Sequence, residues 1–206
     1  MIEASVIRVV IAEDEAITRE ALTALLGLEA AIDVVASTGR GDRVRELIES
    51  HRADLVVLDL TMPGMTGLEV AEELHRERTG FPVVVLTSHG RPGEVQRALG
   101  SGVRGFLTKE TSADKLVRVI REVHGGGRYI DQELATDALS AGHNPLTPRE
   151  VQILRCLEDG RPVRDVADEV NVSEGTVRNH ISSAIRKLGV SNRATACRQA
   201  AQAGWI

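Results

Sequence analysis

The chain has 206 residues, 42% of them apolar and 27% charged, with a net charge of −5. That length allows one large or two ordinary domains with real cores, and the acidic balance excludes a protein that coats nucleic acid over its whole surface. No run approaches the eighteen or so apolar residues of a membrane span, and Met1-Ile2-Glu3 lacks the basic and apolar regions of a signal peptide. A cytoplasmic protein with no membrane partner is expected.

Residues 7–125 alternate strand-like and helix-like patterns. Val6-Ile7-Arg8-Val9-Val10-Ile11-Ala12 reads as a strand that ends at Glu13-Asp14-Glu15. A helix over 16–28 carries Ile17, Ala21, Leu22, Leu25 and Leu28 at helical spacing. A second strand over 32–36 and a helix over 42–51, with Val44, Leu47 and Ile48 inward, lead to Leu55-Val56-Val57-Leu58. This uninterrupted apolar run fits a strand buried on both faces. It closes on Asp59, which belongs at the open end of the strand, because an unpaired buried carboxylate is costly. Pro63, Gly64 and Gly67 force a loop before a helix over about 66–78. Strands over 82–86, closing on Thr87-Ser88, and 105–108, closing on Lys109, alternate with helices over about 93–99 and from the N-cap Ser112.

Five βα units imply a parallel sheet with helices on both faces. The simplest topology is the flavodoxin-like order 2-1-3-4-5, whose site lies between the ends of strands one and three. Those ends carry Glu13, Asp14 and Asp59. Gly125-Gly126-Gly127 then breaks the helix, and a connector helix over about 131–141 precedes Asn144-Pro145.

The rest is all helix: a capping box of Thr147, Pro148 and Glu150 opens a helix to about Glu158, which stops at Asp159-Gly160. A short helix over 163–170, the connection Asn171-Val172-Ser173, a long helix to Leu188 and a last one over about 193–203 follow. Two helices across a tight turn within a four-helix unit read as helix-turn-helix. From Ser173 onward five basic residues face one acidic residue, whereas the chain before Asn144 holds sixteen basic and twenty-three acidic residues. Such a split suggests two jobs. Cys156 and Cys197 lie in apolar helical patterns without ligand-spaced partners and read as reduced core thiols.

Crowded carboxylates need a hard cation, and Mg²⁺ accepts one or two carboxylates together with water and a phosphate. A carboxylate can also attack phosphorus to give an aspartyl-phosphate, with Lys109 and Thr87 placed to neutralise and orient the phosphoryl group. Taken one at a time, Asp59 could start a turn, Glu13-Asp14-Glu15 could favour a helix N-terminus, Lys109 could be solvated and Phe106 a core ring.

Glu13-Asp14, Asp59 with Met62-Pro63 and Gly67 behind it, Thr87, and Gly105-Phe106-Leu107-Thr108-Lys109 together make residues 6–124 resemble a response-regulator receiver domain. The resemblance implies Asp59 as phosphoacceptor. It implies Mg²⁺ held by Asp14, Asp59 and the backbone carbonyl of Thr61, with Glu13 assisting through water. It further implies Thr87 and Lys109 on the phosphoryl group and Phe106 as the aromatic that follows Thr87. Two departures stand out: Glu110 follows Lys109 where many receivers have proline, and Ser88 follows Thr87 where many have a smaller residue.

On the long helix Val177, Ile181, Ala184, Ile185 and Leu188 form one face and Arg178, Asn179, Ser182, Ser183 and Arg186 the other. On a recognition helix Arg reads guanine and Asn reads adenine, while Arg186 and Lys187 suit phosphates. His180, at the edge of the apolar face, reads as packing. Leu146-Thr147-Pro148-Arg149-Glu150, Val166-Ala167, Ser173-Glu174-Gly175-Thr176-Val177-Arg178-Asn179-His180-Ile181 and Lys187-Leu188-Gly189-Val190 make residues 145–206 resemble the LuxR-type domain of the NarL/FixJ family. Arg178-Asn179 and the ending Gly204-Trp205-Ile206 also resemble that family's desaturase-regulator branch. The candidate DNA-contacting set is Thr176, Arg178, Asn179, Ser182, Ser183, Arg186 and Lys187, and the last helix would pair DNA-binding domains.

The organisation expected is therefore a five-stranded α/β receiver over 1–124, a linker with a connector helix over 125–144, and an all-α helix-turn-helix domain over 145–206. The resemblance implies a transcriptional regulator phosphorylated by a sensor histidine kinase, dimerising through its first and fifth helices, binding double-stranded promoter DNA and meeting RNA polymerase. It implies no enzymatic activity beyond the receiver's own phosphorylation and dephosphorylation. Two rivals stay open. An Asp-nucleophile hydrolase of the haloacid dehalogenase type needs an acid where Thr61 stands, and a phosphorylation-independent scaffold would leave the acidic pocket idle.

Overall fold

The computed structural model describes residues 6–77, 80–88, 90–158 and 160–206. The expectations placed on Met1-Ile2-Glu3, Arg78 and Asp159 concern positions outside that set. The chain divides into two compact units, one of Met1–Gly90 and Val95–Thr136, the other of Arg91–Glu94 and Asp137–Ile206.

The first unit is built on a parallel sheet. Its strands are β1 (Ile7–Ala12), β2 (Ile32–Thr38), β3 (Leu55–Leu58), β4 (Val83–Thr87), β5 (Gly105–Thr108) and β6 (Tyr129–Ile130), in the order β2-β1-β3-β4-β5-β6. The predicted order 2-1-3-4-5 is present, with one strand more than predicted. Between the strands run α1 (Ala16–Gly27), α2 (Val44–His51), α3 (Gly67–Arg76), α4 (Pro92–Gly100) and α5 (Ala113–His124), and α6 (Gln132–Ser140) follows β6. β-branched and leucine side chains fill β3 and β4, every residue of which is buried. Val9, Ile11, Leu55, Val57, Val84, Leu86 and Leu107 share one core with Leu116, Val119, Ile120 and Val123 of α5. Each such side chain taken from water contributes about 1.5–3 kcal/mol.

Two differences from the sequence reading have physical reasons. β6, in the stretch expected as linker, is two residues long and carries no periodicity. It is held from outside: the Tyr129 amide donates to the Arg104 carbonyl (2.8 Å) and the Asp131 amide to the Phe106 carbonyl (3.0 Å). Lys115 fastens it further, donating to Asp131 Oδ2 at 2.7 Å and lying over the Tyr129 ring. On α1 the apolar periodicity marks an outward stripe. Ile17 is 85%, Leu25 45% and Leu28 83% exposed, whereas Leu26, outside the predicted set, is buried and Leu22 only packs against the core.

The second unit contains α7 (Pro148–Leu157), α8 (Val163–Glu169), α9 (Glu174–Leu188) and α10 (Arg193–Gln202). Its core joins Ile153, Leu154 and Leu157 of α7, Val166 and Ala167 of α8, Val177, Ile181 and Ala184 of α9, and Ala196, Cys197 and Ala200 of α10. Asn171 takes the left-handed conformation (φ 53) that turns α8 into α9, and Ser173 caps α9 by accepting from the Thr176 amide at 3.1 Å. Cys156 and Cys197 are free thiols. Among the described residues no helix is long and apolar enough to cross a membrane.

Candidate functional site

Strand register assembles the acidic pocket. β1 and β3 pair with Ala12 opposite Leu58, and the Asp59 amide donates to the Ala12 carbonyl at 2.8 Å, so Glu13 and Asp59 leave the sheet side by side. β4 and β5 pair with Thr87 opposite Thr108, and the Lys109 amide donates to the Thr87 carbonyl at 2.8 Å, which delivers Lys109 to the same end. This is the carboxyl edge at the switch point where open α/β sheets bind ligands.

Carboxylate oxygens of Glu13, Asp14 and Asp59 lie within 4.8 Å of one another, with Glu13 and Asp59 buried and Asp14 exposed. The Lys109 ammonium donates to Glu13 at 2.8 Å and to Asp59 Oδ2 at 3.1 Å. Asp59 Oδ1 accepts from the Leu60 amide at 2.7 Å, which fixes the carboxylate's orientation. Burial pushes the Glu13 carboxyl up and the neighbouring Asp59 charge adds to this, outweighing the opposing pull of Lys109. For Lys109 burial works against the ammonium, but the hydrogen bonds to Glu13 and Asp59 prevail and hold its pKa above the usual lysine value. Three carboxylates against one ammonium leave surplus negative charge in a partly buried cleft. That donor set suits Mg²⁺, which takes one or two carboxylates and keeps several waters, and exposed Asp14 leaves room for them.

The remaining predicted receiver residues cluster near this edge or behind it. Thr61 lies exposed in the loop after β3, Thr87 is buried at the end of β4, and Phe106 is wholly buried in β5. A methyl group on Gly90, after β4, would stand 2.6 Å from Leu134 of α6 and 3.3 Å from the Phe106 ring, so loop, ring and helix are in contact.

Sequence reasoning missed three supports. Arg19 of α1 donates to the Glu13 carbonyl at 2.7 Å, bracing the acidic turn. The Leu60 amide, a backbone group, carries no side-chain signal. Gly67 belongs to the receiver motif for a steric reason that the sequence does not show: an added Cβ would sit 2.0 Å from the Asp59 carbonyl oxygen. Behind it a capping box of Thr66 and Glu69 starts α3.

On α9 the predicted DNA-contacting residues separate into two groups. Arg178, Asn179, Ser182, Arg186 and Lys187 are exposed. Among the described residues Arg178 pairs with Glu174, one turn back on the same surface, a contact of little worth in water that can be exchanged. Thr176 shares its hydroxyl with Ser173 at the helix cap. Lys187, although exposed itself, bonds Glu150, which is 3% exposed. Lys187 Nζ donates to Glu150 Oε2 at 2.7 Å, and the same carboxylate accepts from the Thr147 amide at 2.7 Å. Burial by itself would raise the Glu150 carboxyl; Lys187, the Thr147 amide and Ser183 outweigh it and hold it at about 2. His180 is half-buried.

Comparison with known proteins agrees with both units. Residues 9–121 match the response regulator receiver domain family, and residues 144–200 match the bacterial regulatory proteins of the luxR family. The chain is 39% identical to the transcriptional regulatory protein DesR of Bacillus subtilis over 97% of this chain and 99% of that protein. It is 35% identical to the transcriptional regulatory protein UhpA of Escherichia coli, over 90% of this chain and 93% of that one. Among solved structures, the response regulator ChrA of a heme-sensing two-component system superposes with a TM-score of 0.59 at 30% identity, covering 98% of this chain and all of that one.

Proposed function

The chain belongs to the response regulators that carry a LuxR-type DNA-binding domain, the NarL/FixJ family, and on that premise we propose that Asp59 is its phosphoacceptor and the origin of its switch. The protein is a DNA-binding transcriptional regulator of a two-component system. Its working division is a receiver over 1–124, a linker over 125–144 and a DNA-binding domain over 145–206.

The observation that carries the reading is the Asp59 carboxylate at the carboxyl end of β3, aimed by the Leu60 amide and touched by Lys109. An oxygen of Asp59 attacks the phosphorus of a phosphohistidine on the partner kinase, and the phosphorus–nitrogen bond breaks as the imidazole leaves with the electron pair. Lys109 neutralises charge gathering on the phosphoryl oxygens, and the Thr87 hydroxyl donates to one of them. Asp14, Asp59 and the Thr61 carbonyl would hold Mg²⁺, with Glu13 assisting through water. Bound there, the metal supplies positive charge to the transferring phosphoryl group. The hydrolase alternative loses ground because Thr61 carries no acid.

Phosphorylation then biases a two-state equilibrium, with Thr87 and Phe106 repacking and α1 offering its exposed stripe of Ile17, Ala21, Leu25 and Leu28 to a second copy together with α5. An outward apolar face of this kind is expected of a surface that becomes covered. The dimer, acting in the cytoplasm, sets two copies of α9 on promoter DNA with Arg178, Asn179 and Ser182 at the base edges, where it meets RNA polymerase. Incubation with a small-molecule phosphodonor and Mg²⁺ tests the first step. Intact protein should gain one phosphoryl group by mass, and Asp59→Ala none; labelling that survives the substitution would remove the assignment.

A further inference from the structure

The strongest unassigned feature outside the receiver pocket is the buried carboxylate of Glu150. It lies in the first turn of α7, and its partner Lys187 lies in the last turn of α9, more than thirty residues away in sequence. Resting on the DNA-binding reading, we infer that Glu150 is a positioning residue for the recognition helix. It withdraws Lys187 from the DNA-contacting set and uses it to fix the end of α9 against α7.

Three observations carry this. First, Glu150 is nearly inaccessible and its carboxylate is satisfied from two sides, by the Thr147 amide and by the Lys187 ammonium. Second, the capping box that Glu150 forms with Thr147 anchors it to the start of α7, so the carboxylate cannot follow Lys187 if the lysine turns outward. Third, a carboxylate as buried as Glu150 that loses its cation is left an uncompensated charge, which costs more than breaking a pair exposed at both ends. Lys187 reaching for a phosphate would strand Glu150 in that way. Lys187 and Arg186 are both exposed, but among the described residues Arg186 has no such tie and Arg178 only a surface one. Phosphate contact therefore falls to Arg186, while Lys187 and Glu150 set the angle at which α9 is presented.

A test on the full chain separates latch from contact. Trp205, the single tryptophan of the chain, packs against the core of the second unit and reports on it. Unfolding followed by Trp205 fluorescence would be measured for Glu150→Gln, Lys187→Met and the double variant. Binding of each, and of Arg186→Met, to a duplex of arbitrary sequence would be measured across a salt series at a temperature where Trp205 shows all variants folded. Either single change should lower the unfolding midpoint, and the double should be no worse than the more damaging single. Lys187→Met should lower affinity roughly tenfold with the slope of log K against log salt unchanged, and Lys187→Arg should recover most of that loss. Arg186→Met should reduce the slope by about one, as expected for a lost phosphate contact. A slope that falls by about one in Lys187→Met would overturn the inference, as would additive midpoints or unchanged affinity in folded variants. If the wild-type chain binds no duplex, the DNA-binding reading fails instead, and the Trp205 cycle still decides the latch.

Discussion

Asp59 and Glu150 show the same chemistry put to opposite uses. Both are nearly buried carboxylates held by a lysine and a backbone amide, but Asp59 opens on a cleft with surplus negative charge, whereas Glu150 is closed in by donors. The folded value of Glu150, about 2, lies below the ordinary 4.5. Its contribution is therefore present above the ordinary value and lost as pH falls from about 4.5 towards 2. Roughly 3 kcal/mol is at stake. Unfolding followed by Trp205 should show wild type more stable than Glu150→Gln at pH 5, with the gap closing by about pH 2.5. A gap independent of pH would contradict it. In the receiver, Gly67→Ala forces a methyl group onto the Asp59 carbonyl. It should cost about 1–3 kcal/mol in urea unfolding, as overpacking does, and should slow phosphorylation by moving the acceptor loop.

At the scale of elements, α1 is the segment whose exposure the family reading puts to use. Ile17→Glu with Leu28→Glu should leave monomer stability within about 0.5 kcal/mol, because both positions are already in water. The same pair should abolish the dimer induced by phosphorylation, as read by sedimentation. Strands and helices long enough to show a period were legible in the sequence, from Leu55-Val56-Val57-Leu58 in β3 to the buried face of α5. What the period could not give was direction. The stripe on α1 points outward because Leu26 and Leu22 supply that helix's inner contacts. Nor could two residues announce β6, whose existence depends on free carbonyls at Arg104 and Phe106 and on Lys115 across the chain. The acidic pocket was readable because its members are charged residues at strand ends. The Leu60 amide, the brace from Arg19 and the clearance at Gly67 come from tertiary geometry. On α9 the helical wheel separated polar from apolar correctly, yet could not see that Lys187 reaches a buried acid contributed by α7.

For the whole molecule, the proposed function gives phosphoryl chemistry to the acidic receiver half and DNA to the locally basic end. Arg178→Ala should weaken binding to the native promoter site by about 1–3 kcal/mol if the arginine reads a guanine, with a much smaller effect on unrelated duplexes. Equal loss on both would assign Arg178 to the backbone. The central claim is that charge placed on Asp59 turns a monomer into a dimer. Its most direct test is sedimentation velocity of the intact chain in Mg²⁺, with and without beryllofluoride as a phosphoryl mimic. The account predicts a monomer without the mimic and a dimer with it, and a mass that beryllofluoride leaves unchanged would contradict it.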